Sequence, residues 1–195
     1  MRTRGFTLIE MLVVITMITM VGFAIQYAIQ YFYRANTYVL HGTAAINSAR
    51  NGITTMASNV REATYGDDGA YPLSSAATST ITFFADVDKD GGVEKVRIYM
   101  IGNTLYRGVT NAAGNPPSYA GQAQATTTLA TYVANGTSTP LFRYFNENGA
   151  ELTGTINIAQ IASIMMTLMV DINPSRAPDI YTLTESATIR NVGSE

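Results

Sequence analysis

The chain has 195 residues, enough for one domain of ordinary size with some length left for an anchor. Hydrophobic residues make up 47% and charged residues only 13%, well under the roughly 25% typical of a soluble domain, and the apolar excess lies at the N-terminus, so a membrane segment plus a soluble part is expected. A formal charge of -2 without a basic or acidic run argues against a nucleic-acid groove, and the lack of Cys excludes disulfide staples, thiolate metal sites and a Cys nucleophile.

The chain opens "MRTRGFTLIEMLVVI", and no charged residue occurs from Met11 to Tyr33. A bilayer core of roughly 30 Å needs about 20 apolar residues in a helix, so this run can span. Tyr27, Tyr31, Phe32 and Tyr33 crowd its far end, where an aromatic belt would meet the headgroups, and Arg2 and Arg4 before it keep the N-terminus in the cytoplasm by the positive-inside rule. The basic start and apolar run match a secretory signal, but "IQYFYRANTYV" offers no small-x-small cleavage site after it. The small residue at a polar-to-apolar border is Gly5, and a cut there removes the basic leader while keeping the helix. Glu10 interrupts the apolar run, and an acid near the membrane core costs roughly 2.5 to 3.5 kcal/mol. A cut after Gly5 would give it a partner, the new amine of Phe6, four residues away on its own helix or on a neighbouring one. The alternative is that Glu10 sits close enough to the interface to be hydrated.

"RGFTLIEMLVVI" closely resembles the class III leader of type IV pilins and type II secretion pseudopilins. The resemblance covers about the first 30 residues and matches identities from Gly5 to Glu10. It implies that a prepilin peptidase cleaves after Gly5 and methylates the amine of Phe6, and that Glu10 aligns subunits during filament assembly. The helix-breaking Pro usual in the membrane half is absent, and Gly22 is the nearest substitute.

Past the apolar run the helical period continues. Ile25, Phe32, Val39, Ile46, Ile53 and Val60 recur every seven residues, and Ala28, Ala35, Gly42, Ala49, Met56 and Ala63 form a second series, making one apolar stripe expected to be core. A helix from Phe6 to about Ala63 would be about 87 Å long at 1.5 Å per residue, a stalk rather than part of a compact domain. Gly66, Gly69 and Pro72 end it. Strands are expected next: Ile81, Phe83, Ala85 and Val87 alternate with polar or outward residues, as do Val96, Ile98 and Met100, with "LYRGV" as a third strand of a meander. From Thr110 to Pro140 a long surface loop is expected, with a short helix around Ala120 to Ala134. "PLFRYFNENGAEL" reads as a strand and turn, and strands at Ser163 to Ile172 and Ile180 to Ile189 close the chain. The fold class is therefore α+β, a long N-terminal helix packed on a C-terminal antiparallel β-sheet domain. The expected divisions are a leader at 1–5, a membrane and filament-core helix at 6–33, its amphipathic half at 34–64 and an exported domain at 65–195. The strand order is similar to that of minor pseudopilins of the J type and related minor pilins, which implies a minor subunit.

"DVDKDGGVE" places Asp86, Asp88, Asp90 and Glu94 around Gly91, and oxygen ligands at alternate loop positions suit a hard cation such as Ca²⁺. Arg97 stands where an EF-hand would need its bidentate carboxylate, so a shorter loop closed by Glu94 is the metal reading, and a plain hairpin turn the alternative. No other cofactor is expected. His41 is the sole His, read as a solvated or interface residue; no catalytic constellation can be built from it, and enzyme activity is not expected. "NGT" at Asn135 matches a glycosylation sequon but reads better as a turn.

Taken with the resemblance, these features imply a minor pilin or pseudopilin. Its implied partners are prepilin peptidase, other pilin subunits, an inner-membrane assembly platform and the bilayer before assembly. The expected location is the cytoplasmic membrane, N-terminus inside, and then a filament outside it. The alternatives are a tip-located adhesin or cargo- or DNA-binding subunit, with the 110–140 loop as its surface, and a bitopic membrane protein that never assembles.

Overall fold

The computed structural model describes residues 7–136, 138–172 and 180–189, apart from the side chains of Tyr38, Val39 and His41. The reading of His41 as a solvated residue, and the processing residues Gly5 and Phe6, therefore lie outside what is described. The chain divides into two units, Met1–Thr43 and Ala44–Glu195. Helix α1, Leu8–Arg61, supplies the described part of the first unit and the opening element of the second.

In the first unit, as far as Tyr33, the helix exposes large apolar side chains on all its sides. Leu8, Leu12, Ile18, Phe23, Ile25 and Phe32 are all exposed. Threonine hydroxyls in it bond back to the helix: that of Thr16 donates to the Leu12 carbonyl at 2.8 Å, and that of Thr19 to the Ile15 and Thr16 carbonyls. Such back-bonding suits an apolar surround, where a hydroxyl without a partner is costly. The segment is long and apolar enough to cross a membrane.

In the second unit the same helix becomes amphipathic. Ala45, Ala49, Ile53, Met56 and Val60 are buried at spacings of three or four residues, which is one face of an α-helix, and Ala63 just past its end is buried too. The seven-residue stripe seen in the sequence is thus core only in this unit, since Ile25 and Phe32 on it are exposed.

The strands are β1 (Leu73–Ala76), β2 (Thr80–Ala85), β3 (Glu94–Ile101), β4 (Thr104–Thr110), β5 (Ala125–Ala130), β6 (Phe142–Phe145), β7 (Glu151–Leu152), β8 (Ser163–Val170) and β9 (Tyr181–Thr188). They form two antiparallel sheets, β1-β2-β3-β4-β5 and β7-β6-β8-β9, giving an α+β, pilin-like arrangement. The expected β2–β3–β4 meander forms, with Ile81 opposite Ile98 and Tyr99 opposite Tyr106. Two points differ from the sequence reading. The expected 110–140 loop is interrupted by β5, and residues 120–134 hold that strand instead of a helix. The sheet is also divided in two, with an isolated bridge between Val133 and Val170 where the sheets come together.

The core joins both sheets to the helix. Phe83, Ile98 and Leu105 come from the first sheet, Ile164, Met166 and Leu168 from the second, and Met56 and Val60 from α1. Gly52 lets the helix approach β5 so closely that an added Cβ would stand 2.8 Å from the Leu129 carbonyl oxygen. Asn135 ties the sheets at their junction: its amide donates to the Thr139 and Thr167 carbonyls, and its carbonyl accepts from the Met169 N–H at 2.9 Å. Its side chain is thus engaged mainly across the junction rather than in a local turn. Tyr144, fully buried, donates its hydroxyl to the Ala77 carbonyl at 2.8 Å, and burial pushes its pKa far up.

Candidate functional site

Two places in the chain carry the functional candidates, the start of α1 and the β2–β3 turn. At the first, Thr7 and Glu10 hydrogen-bond reciprocally: the Thr7 N–H donates to the Glu10 carboxylate, and the Glu10 N–H donates to the Thr7 hydroxyl, each at 3.4 Å. This is a capping box, which satisfies two of the backbone N–H groups that a helix start leaves without partners. The negative charge at the N-terminal end is also stabilised by the helix dipole. Glu10 therefore has local partners in addition to any the mature N-terminus would add. The signal was present in the sequence as Thr7-Leu8-Ile9-Glu10 before an apolar run, but it was hidden behind the reading of Glu10 as a lone membrane charge.

The β2–β3 turn gathers its acids by backbone curvature. Asp86 accepts from the N–H groups of Lys89 and Gly91, at 2.7 and 3.2 Å, and Asp88 accepts from Asp90. Lys89 and Gly91 adopt positive φ, 61° and 92°, so Gly at 91 meets the turn without steric cost. Glu94 is almost fully buried and accepts from the Val87 N–H at 2.9 Å. Burial raises its pKa, and the charges of Asp88, Asp90 and Asp86 raise it further, against the lowering effect of the Val87 bond. One carboxylate oxygen each from Asp86, Asp88 and Glu94 lies within 4.8 Å of the others. Calcium–oxygen bonds of 2.3–2.6 Å place ligands across one ion within about 5 Å of each other, so these three could hold a single cation. Asp90 is not among them; its carboxylate instead accepts from the Gly92 N–H at 2.8 Å. The four-acid set of the sequence reading thus reduces to three.

The comparison with protein families bears on the first of these places. A model of the prokaryotic N-terminal methylation motif matches residues 1–25. The chain carries a prepilin-like leader. That leader spans the basic start, Gly5, Phe6, the capping box and the first part of the apolar helix. It supports a pilin- or pseudopilin-like precursor, and the apolar helix that follows is long enough for a membrane anchor; the motif implies processing by prepilin peptidase. No curated protein matches the chain.

Proposed function

We propose that the protein is a minor pilin or pseudopilin. Prepilin peptidase cleaves after Gly5 and methylates Phe6. The chain stands in the cytoplasmic membrane with its N-terminus inside and the β domain outside, then enters a filament through α1. The observation that carries this reading is the pairing of the methylation motif with a helix segment whose apolar side chains are exposed all round. Such a segment is suited by lipid before assembly and by parallel copies of related helices afterwards, because packing replaces lipid contacts without changing its internal hydrogen bonds.

Glu10 acts in the second stage. The capping box engages one of its carboxylate oxygens through Thr7, leaving the other for the Phe6 amine of a neighbouring subunit. Replacing Glu10 with Ala should leave insertion and cleavage intact and sharply reduce incorporation into filaments. Mass spectrometry of the mature N-terminus tests the processing step. An intact "MRTRG" in cells that possess the peptidase refutes it, and normal incorporation of the Ala variant refutes the role of Glu10.

For the β2–β3 turn we propose one Ca²⁺ ion held by Asp86, Asp88 and Glu94, supported by their convergence. Millimolar Ca²⁺ should raise the melting temperature of the native chain and leave that of Glu94→Gln unchanged. An unmoved native melting curve returns the turn to a plain hairpin connection.

A further inference from the structure

The face of the first sheet that points away from the core holds a polar cleft of 430 Å³. Alternation along the strands creates it: Ile81, Phe83, Val96 and Ile98 are buried in the core, so Thr82, Lys95 and Arg97 between them face the other way. Thr110 on β4 continues the floor opposite Lys95. One wall is the segment between β4 and β5, folded back over the sheet and fixed by Tyr119. Its ring lies 5.1 Å from that of Phe84, and its hydroxyl accepts from the Asp67 N–H at 3.1 Å and donates to the Val93 carbonyl. The other rim is made by Gln124. Its amide lies across Gly108, where an added Cβ would stand 2.3 Å away, and reaches the hydroxyls of Tyr99 and Thr126.

The chemistry of the lining is specific. Lys95 and Arg97 are its two cations, and neither has an ion-pair partner among the described residues. The rest of the lining is hydroxyl and carboxamide, without a carboxylate. Beside it the Arg97 guanidinium lies 4.7 Å over the Tyr99 ring, which stacks on Tyr106 at 5.7 Å. Two unpaired cations call for an anion, and the surrounding hydroxyls and amides call for a ligand dense in hydroxyls. The aromatic pair holds Arg97 in place at the edge of the cleft. A single-stranded nucleic acid would need a track of cations matching its phosphates, which two cations in a chain of net charge -2 do not supply. The volume lies at the small end of the roughly 300–1,000 Å³ of ligand clefts, enough for a short segment of a longer chain.

The geometry points to a binding site for an acidic saccharide, a uronic-acid-containing glycan. Its carboxylate sits on Arg97 and Lys95, and its hydroxyls meet Thr82, Thr110 and Gln124. Titration calorimetry on the full chain in detergent micelles tests this with short oligomers of galacturonate, glucuronate and mannuronate, the methyl ester of each, and an oligo-dT of matching length. At least one oligouronate should bind, and its ester should bind several-fold more weakly. Lys95→Gln with Arg97→Gln should weaken it roughly tenfold, as loss of charge-assisted hydrogen bonds does, with the melting temperature unchanged. Arg97→Lys should retain part of the affinity. Binding by none of the three uronates, equal binding of acid and ester, tighter binding of oligo-dT, or a double variant that binds like the native chain would each overturn the site. Because the measurement uses unassembled protein, its failure would leave the assembly reading untouched.

Discussion

The two stretches of α1 show how far environment, rather than helix-forming tendency, decides what a sequence must supply. Up to Tyr33 large apolar side chains are exposed on every side, and Phe23 is 74% exposed. After Ala44 apolar residues keep to one face, small ones such as Ala49 and Ala57 occur among them, and polar residues such as Asn47, Arg50 and Asn51 take the remainder. The backbone is the same throughout, but the first stretch is built for a surround that is apolar in all directions. The second is built for a surface that is apolar on one side and wet on the other.

Substitutions sharpen that contrast, and unfolding of the full chain in detergent, followed by circular dichroism, reads them all. Phe83→Ala removes a fully buried ring from the sheet facing the second stretch and should cost about 3–5 kcal/mol. Gly52→Ala pushes a methyl group at the Leu129 carbonyl and should cost about 1–3 kcal/mol, even though Ala is the better helix former. Tyr144→Phe leaves the Ala77 carbonyl without its donor and should cost about 0.5–1.5 kcal/mol. Glu151→Gln breaks the exposed pair with Arg143 and should barely move the midpoint at neutral pH. Arg143 lowers the Glu151 pKa, so what the pair contributes is present above the ordinary carboxylate value and fades as the pH falls through the lowered one. The native and variant midpoints should therefore converge in acid. Phe23→Ala should leave unfolding of the β domain within about 0.5 kcal/mol of native, and a larger loss would break the contrast between the two stretches.

Much of this architecture was readable before any coordinates. The helix and the β2–β3–β4 meander announce themselves because their periods, near 3.6 and 2, run unbroken over many residues, and β8 alternates cleanly from Ile164 to Val170. β5 was missed because "ATTTLA" shows no alternation: four of its residues are exposed, and only Leu129 and Ala130 are buried. A strand that lies at the sheet edge and borders a polar cleft has no apolar rhythm to display. The junction of the two sheets was equally hidden, since it rests on Asn135 and one isolated bridge rather than on any run of residues. At the candidate sites, residue types were legible and convergence was not. Asp90 looks equivalent to Asp86 and Asp88 in sequence, but the turn directs it to the Gly92 N–H. The polar cleft depends on Gln124 lying over Gly108 and on Tyr119 reaching Val93, pairings between distant residues that periodicity does not reveal.

Helix α1 is bound to the last strand as well as to the core beneath it. Arg50 donates to the Tyr181 hydroxyl at 3.4 Å, and Arg61 donates to the Ser186 carbonyl at 2.7 Å with Glu185 at 3.6 Å. β9 in turn pairs with β8 residue for residue from Tyr181 to Thr188. Tension applied to the helix is therefore shared between its packed face and two guanidinium tethers that end on a fully laddered strand. The second unit thus holds its helix at two places, the core and β9, which lie far apart in the sequence.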